Sequence, residues 1–223
     1  MNIVAEIPAR AGSKRVKNKN LRLLNGKPMI SYVIEEAQKS KLLTDVYVNS
    51  DCDEIGKYGE SLGVKFYKRP IELGNDDVTS DEYNYDFIKS IKPDILVQIN
   101  PVCPLITVDD IDKIIQHFLD NDFDSLVTVR EERLQAFCDG YPINFDLNKK
   151  LPKTQDISSV KICAWPVCIW KSNSFKKHFE DKGCAVFSGK LELYPVSFLK
   201  SLKISYEEDF KLAEKLIKVE DLK

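Results

Sequence analysis

Ile7-Pro-Ala-Arg-Ala-Gly-Ser-Lys-Arg-Val-Lys-Asn-Lys-Asn20 follows a short β-branched run, Ile3 to Ile7, and precedes a helical pattern that begins near Pro28. A buried strand, a loop and a helix in that order begin an open α/β sheet, and the loop leaves the carboxyl edge of the strand, where ligands bind. The loop carries Arg10, Lys14, Arg15, Lys17 and Lys19, while Gly12 and Ser13 offer backbone amides for close approach to a ligand. It admits two readings, a solvated basic turn or an anion site. The chain as a whole is slightly acidic, with 33 Lys and Arg against 35 Asp and Glu and a net charge of −2, so the clustering is local. That favours a phosphate ligand over nucleic acid, whose binders carry a basic face or domain. The loop matches neither a Walker pattern nor a dinucleotide fingerprint.

Reading outward, Pro28 to Ser40 has apolar residues at helical spacing, Asp45 to Ser50 reads as a strand, Ser50-Asp-Cys-Asp-Glu opens a helix, and Gly63 to Tyr67 reads as a strand. This alternation predicts right-handed βαβ units and an α/β fold with a mainly parallel twisted sheet flanked by helices. A helix from about Ser80, a strand over Asp94–Asn100, a helix opened by Thr107 and a strand over Ser125–Val129 follow, the last alternating enough to be placed nearer an edge. From Arg130 to about Val160 the composition turns polar and irregular. Strand character returns over Lys161–Trp170 and again from Phe187 to Pro195, with Trp165 and Trp170 open to core, interface or pocket-wall roles. Ser205 with Glu208 has the spacing of a capping box for a last helix running to about Val219.

The length of 223 residues suits one medium domain, and no apolar run approaches the roughly 20 residues of a membrane helix. The opening Met-Asn-Ile-Val-Ala-Glu has no basic n-region or cleavage site, so a cytoplasmic location and no membrane partner are expected. Six scattered cysteines without a Cys-x-x-Cys pair read as reduced, and Cys103 reads as packing rather than as a nucleophile because nothing local supplies a base. His117 and His178 have no partner evident in the sequence and receive no catalytic role.

Ile7-Pro-Ala-Arg-Ala-Gly-Ser-Lys14, Lys19-Asn20-Leu21 and Asn25-Gly26-Lys27-Pro28-Met29 together resemble the opening signature of the CMP-sialate synthetases, the acylneuraminate cytidylyltransferases, with CMP-Kdo synthetases more distantly similar. The resemblance covers nearly the whole chain. It implies a single cytidylyltransferase domain over 1–223, a Rossmann-like nucleotidyltransferase (GT-A-like) fold, and an inserted arm over 130–185 through which homodimers form. The activity implied is transfer of CMP from CTP to the hydroxyl of an acidic acceptor, foremost a 2-keto-3-deoxy sugar acid of the sialic acid type used in surface polysaccharides, with release of pyrophosphate. A non-catalytic CTP-binding paralogue and a cytidylyltransferase for a non-sugar acid are the alternatives.

Residue by residue, the resemblance assigns Arg10, Lys14 and Lys19 to charge neutralisation on the reacting triphosphate. It assigns Ala9, Gly12, Ser13, Asn20, Arg69 and Ser80 to nucleotide binding, with Arg69 on the cytosine side, and Asn100 to the acceptor. The chain departs from the family at Val102, Cys103 and Ile106, which replace two hydroxyl residues and an arginine. It departs again at Lys203 and Ser205, where two aspartates would hold magnesium. Protein ligands for a metal are therefore unknown; Asp76 and Asp209 are the nearby acids, magnesium is expected to arrive mainly with CTP, and Lys203 is a candidate to replace part of its charge.

Overall fold

Strand β1 (Ile3–Pro8) forms because its β-branched residues fill both faces of a strand buried throughout its first five positions. In the computed structural model, which describes residues 1–219, it is followed by the basic loop and a small hairpin, β2 (Leu23–Leu24) and β3 (Lys27–Pro28). Asn25 and Gly26 turn that hairpin with φ of 49° and 88°, the paired positive values a two-residue turn of this hand requires. Helix α1 (Met29–Lys39), strand β4 (Asp45–Ser50), helix α2 (Asp53–Ser61) and strand β5 (Lys65–Lys68) complete the first βαβ units. Then come α3 (Ser80–Ile91), β6 (Ile95–Ile99), α4 (Val108–Asp120) and β7 (Ser125–Glu132). The excursion holds a second hairpin, β8 (Phe137–Cys138) with β9 (Tyr141–Pro142), before β10 (Val160–Lys171), α5 (Ser172–Lys182), β11 (Leu191–Pro195) and α6 (Glu207–Ile217).

The main sheet has seven strands in the order β11-β7-β10-β6-β1-β4-β5. All neighbours are parallel except β10, which runs antiparallel to both β6 and β7. The chain moves outward from β1 to β4 and β5, then returns to place β6 on the other flank of β1. That reversal opens a crevice at the carboxyl ends of β1 and β6.

Each face of the sheet has its own core. On one face Ile30, Val33 and Ile34 of α1, Ile55 of α2 and Ile111, Ile114 and Phe118 of α4 cover Ala5, Ile7, Val97 and Ile99. On the other, Phe87 of α3 and Phe175 of α5 pack with Val4, Leu96, Cys168 and Trp170. A third cluster joins Val16 of the basic loop and Leu24 of the hairpin to Ile204 and to Phe210 and Ala213 of α6, so the last helix braces the first loop.

Strand β7 lies one strand from the edge, near it as its alternation predicts, with β11 outside it. Its alternating polar residues are satisfied indoors: Ser125 Oγ donates to the Ser188 carbonyl at 2.7 Å and Thr128 Oγ1 to the Val167 carbonyl at 2.7 Å. One expectation is corrected: the Ser205–Glu208 capping box does not form. Helix α6 begins at Glu207, so Asp209 is its third residue, and Asp209 Oδ2 accepts the backbone N–H of Ser205 and of Tyr206, each at 2.8 Å. At the opening of α4, Thr107 and Asp110 make the reciprocal cap that the sequence left unnamed.

Candidate active site

The crevice between β1 and β6 is a cleft of about 540 Å³, and every side chain lining it lies between Pro8 and Val102. Arg10, Ser13, Lys14, Arg15, Lys19 and Asn20 come from the loop after β1, Arg69 from the end of β5, and Asn100, Pro101 and Val102 from the turn after β6. The topology thus brings together most of the residues singled out in the sequence.

Each loop cation is held differently. Arg10 Nη2 meets Asp76 Oδ1 at 2.8 Å and Nη1 donates to the Asn75 carbonyl at 3.2 Å, while Lys14 pairs with the other oxygen of Asp76. Asp76, held below the usual carboxylate range by Lys14 and Arg10, is the one acid among the described residues that line the cleft. Lys19 turns the other way and donates to the Ile204 carbonyl at 3.0 Å. Burial, together with Arg15, Lys203 and Arg10 nearby, pushes its ammonium down to about 8. Such a cation gains most from an incoming polyanion.

Asn20 is buried and braces the loop. Its Nδ2 donates to the Arg10 carbonyl at 3.1 Å and its own carbonyl accepts Ile30 N–H of α1 at 3.0 Å. Arg69 is 3% exposed: Nε donates to Asn49 Oδ1 at 2.8 Å, Nη2 to the Asn49 carbonyl at 3.1 Å, and the guanidinium carbon lies 4.3 Å from the centre of the Tyr83 ring. Tyr83, on α3, is a wall residue that the sequence did not point to. Asn100 is aimed by its Nδ2, which donates to the Trp165 carbonyl at 2.8 Å. Trp165 itself stands at φ 73°, in the left-handed region that bulky residues avoid, at the irregularity of β10 between Cys163 and Cys168.

The remaining sequence candidates fall outside the cleft lining. Ala9 is buried, with its N–H donating to the Asn49 carbonyl at 2.9 Å. Gly12 sits at the exposed loop tip with open space where a Cβ would be, so the close approach expected of it has no counterpart in the protein alone. Ser80 opens α3 and lines a separate small depression with Trp165, His178 and Phe187. Cys103 is fully buried with its thiol pushed up to about 12 by desolvation, which suits packing. His117 does find a partner, Glu192 Oε1 at 3.2 Å, and packs between Phe123 and Tyr194, away from the cleft. Trp170 is core, its Nε1 donating to the Val186 carbonyl at 2.9 Å.

Among the described residues no group of three or more His, Cys, Asp or Glu side chains is placed to hold a metal ion. Asp209 is committed to capping α6 and Asp76 to two cations. Among the described residues the side chains therefore do not form a ready metal cage.

A doubly wound sheet with a cationic loop at its switch point is the architecture of a phosphate-ligand site. The cytidylyltransferase family profile matches residues 4–140, and the chain belongs to that family. Two relatives match over essentially their whole length. The CMP-N,N'-diacetyllegionaminic acid synthase of Campylobacter jejuni is 30% identical across 99% of this chain and 97% of its own. The post-translational flagellin modification protein B of Campylobacter coli is 29% identical over 99% and 97%. In three dimensions, a CMP:2-keto-3-deoxy-manno-octonic acid synthetase solved with CTP superposes with a TM-score of 0.73 at 14% identity, covering 97% of this chain and 98% of that one. The chain is thus an enzyme-family member of the CMP-sialate synthetase type, as the opening motif implied.

Proposed function

We propose that the chain transfers CMP from CTP to the hydroxyl of a nine-carbon 2-keto-3-deoxy sugar acid of the sialic or legionaminic type, releasing pyrophosphate. The observation that carries this reading is the convergence of Arg10, Lys14, Arg15 and Lys19 on a cleft whose far wall is Arg69 stacked on Tyr83. The acceptor oxygen attacks the α-phosphorus, the bond from that phosphorus to the bridging oxygen breaks, and the pyrophosphate leaves. Arg10 and Lys14 exchange Asp76 for phosphate oxygens. Lys19 stabilises charge as it grows, the kind of preorganised electrostatics that dominates such transfers. Asn100 orients the acceptor, and magnesium enters with the nucleotide, whose phosphates supply ligands that no cluster of three or more His, Cys, Asp or Glu among the described residues offers.

The excursion over 130–185 supports a homodimer. Leu134, Phe137, Tyr141, Ile143, Leu147 and Leu151 are all exposed on it, and an apolar surface of that extent is the mark of an interface. Sedimentation at micromolar concentration tests this; a monomer would count against it.

The deciding experiment is pyrophosphate release from CTP across a panel of sialic, legionaminic, pseudaminic and eight-carbon 2-keto-3-deoxy acids. Release with one of them establishes both donor and acceptor. CTP binding without release under any of these acids would favour the second reading, a non-catalytic CTP-binding paralogue, for which Lys203 and Ser205 before α6 are the supporting residues.

A further inference from the structure

Glu6 is the one charged residue of β1, and it is completely buried on the face covered by α3. Sheet register puts it beside Tyr47 of β4 and Gln98 of β6, two residue pairs below the Pro8–Asn49 pair and on the same face. Its Oε1 accepts from Asn49 Nδ2 at 2.6 Å, and Asn49, equally buried, passes its Oδ1 to Arg69 Nε at 2.8 Å. Glu6 does not line the cleft, whereas Arg69 does.

The two ends of the Asn49 amide have opposite needs. Arg69 Nε–H requires an oxygen, so the NH₂ end must face Glu6, and only an acceptor there keeps the amide from turning. With Asn49 fixed, Arg69 spends Nε and one Nη2 hydrogen on Asn49 and one Nη1 hydrogen on the Leu73 carbonyl at 3.5 Å, which leaves one hydrogen on each terminal nitrogen for the cleft that it lines. Along the edge of a pyrimidine, cytosine offers acceptors at O2 and N3, whereas uracil offers N–H at position 3. A rigid fork of donors therefore rewards one base and is left opposed by the other.

We infer that Glu6 is a positioning residue for nucleotide choice: through the Asn49 amide it orients the Arg69 guanidinium, and so sets the preference for a cytosine over a uracil base. The inference rests on the cytidylyl reading given above. Burial pushes the Glu6 carboxyl up to about 8, against the lowering pull of Arg69, so at neutral pH it acts as a hydrogen-bond acceptor more than as a counter-ion. A glutamine presents the same acceptor.

The test measures dissociation constants for CTP and for UTP by calorimetry, with melting temperature recorded, in the native chain and in Glu6→Met, Asn49→Val and Glu6→Gln. The native chain should prefer CTP. Glu6→Met and Asn49→Val should each reduce the ratio of UTP to CTP dissociation constants at least tenfold, and Glu6→Gln should restore it. A folded Glu6→Met or Asn49→Val that keeps the native ratio would overturn the inference. So would equal weakening for both nucleotides, or failure of both variants to fold, since either outcome describes a merely structural pair. A native chain that binds CTP and UTP alike would instead overturn the cytidylyl reading, and this inference with it.

Discussion

Lys19 Nζ donates to the carbonyl oxygen of Ile204 at 3.0 Å, tying the first loop of the chain to the segment that leads into its last helix. Lys203 and Ser205 flank that carbonyl in sequence, and Lys203 is among the charges that lower Lys19.

Nucleotide binding should therefore take up a proton near pH 8 to 9. A lysine with its free-protein value pushed down to about 8 is partly neutral in that range, and a polyanion restores its charge. Affinity for CTP should fall as pH rises through 8, and Lys19→Met should abolish that dependence. Calorimetry in buffers of differing ionisation enthalpy reads the proton directly; no uptake at pH 8.5 in the native chain would show that Lys19 does not face the phosphates.

Arg10→Ala and Lys14→Ala should each lower kcat/KM about 100-fold or more, the usual effect of removing one preorganised donor, with little change in unfolding because Lys14 is largely exposed and Arg10 partly so. Turnover at the native rate by both variants, on an acceptor proven with the native chain, would reduce the loop to a charged turn.

Asp76→Asn removes the internal anion that holds Arg10 and Lys14. CTP no longer has to displace it, so affinity should improve by a few-fold, the scale of an exposed ion pair. Weaker binding of magnesium-free CTP in this variant would mean that Asp76 assists the nucleotide rather than competing with it.

Glu6 makes stability fall with pH. Its carboxyl is raised from an ordinary 4.5 to about 8 by burial, so the folded chain keeps a proton that the unfolded chain gives up. The stability this provides is complete below pH 4.5 and is lost as pH rises through 8, at up to roughly 1.4 kcal/mol per pH unit. Glu6→Gln should flatten that slope in urea titrations between pH 5 and 8. Parallel curves for the two proteins would place the proton elsewhere.

Helix α2 lies so close to β5 that a Cβ on Gly56 would meet the Phe66 ring at 2.3 Å. Gly56→Ala should cost about 1 to 3 kcal/mol through overpacking while leaving nucleotide affinity intact. A neutral change in the denaturation midpoint would show that the ring turns aside freely.

The parallel core was legible because β1 and β6 are mostly apolar runs and β4 has an apolar centre, all separated by helical spacing, and the cationic loop because five like charges in one turn have no packing explanation. Other features depended on partners distant in sequence. Tyr83 and Asp76 reach the cleft only when α3 and the turn before it fold back, and His117 meets Glu192 across 75 positions. The alternation of β7 placed it near an edge but did not show that the Ser125 and Thr128 hydroxyls are paired indoors, because their carbonyl acceptors lie far along the chain. Glu6 did leave a signal. A single acid within Ile3–Ile7 is a buried charge by pattern alone, and such a charge requires a partner.

Every side chain that lines the cleft is encoded before Cys103, in one uninterrupted stretch. The remainder of the chain serves that stretch as a frame: it supplies the Ile204 carbonyl to Lys19, the Trp165 carbonyl to Asn100 and the apolar cover of Val16 and Leu24 by Phe210 and Ala213. A gene crossover just downstream of Val102 would therefore keep every lining side chain and still lose the cleft, unless the incoming remainder carried the same braces.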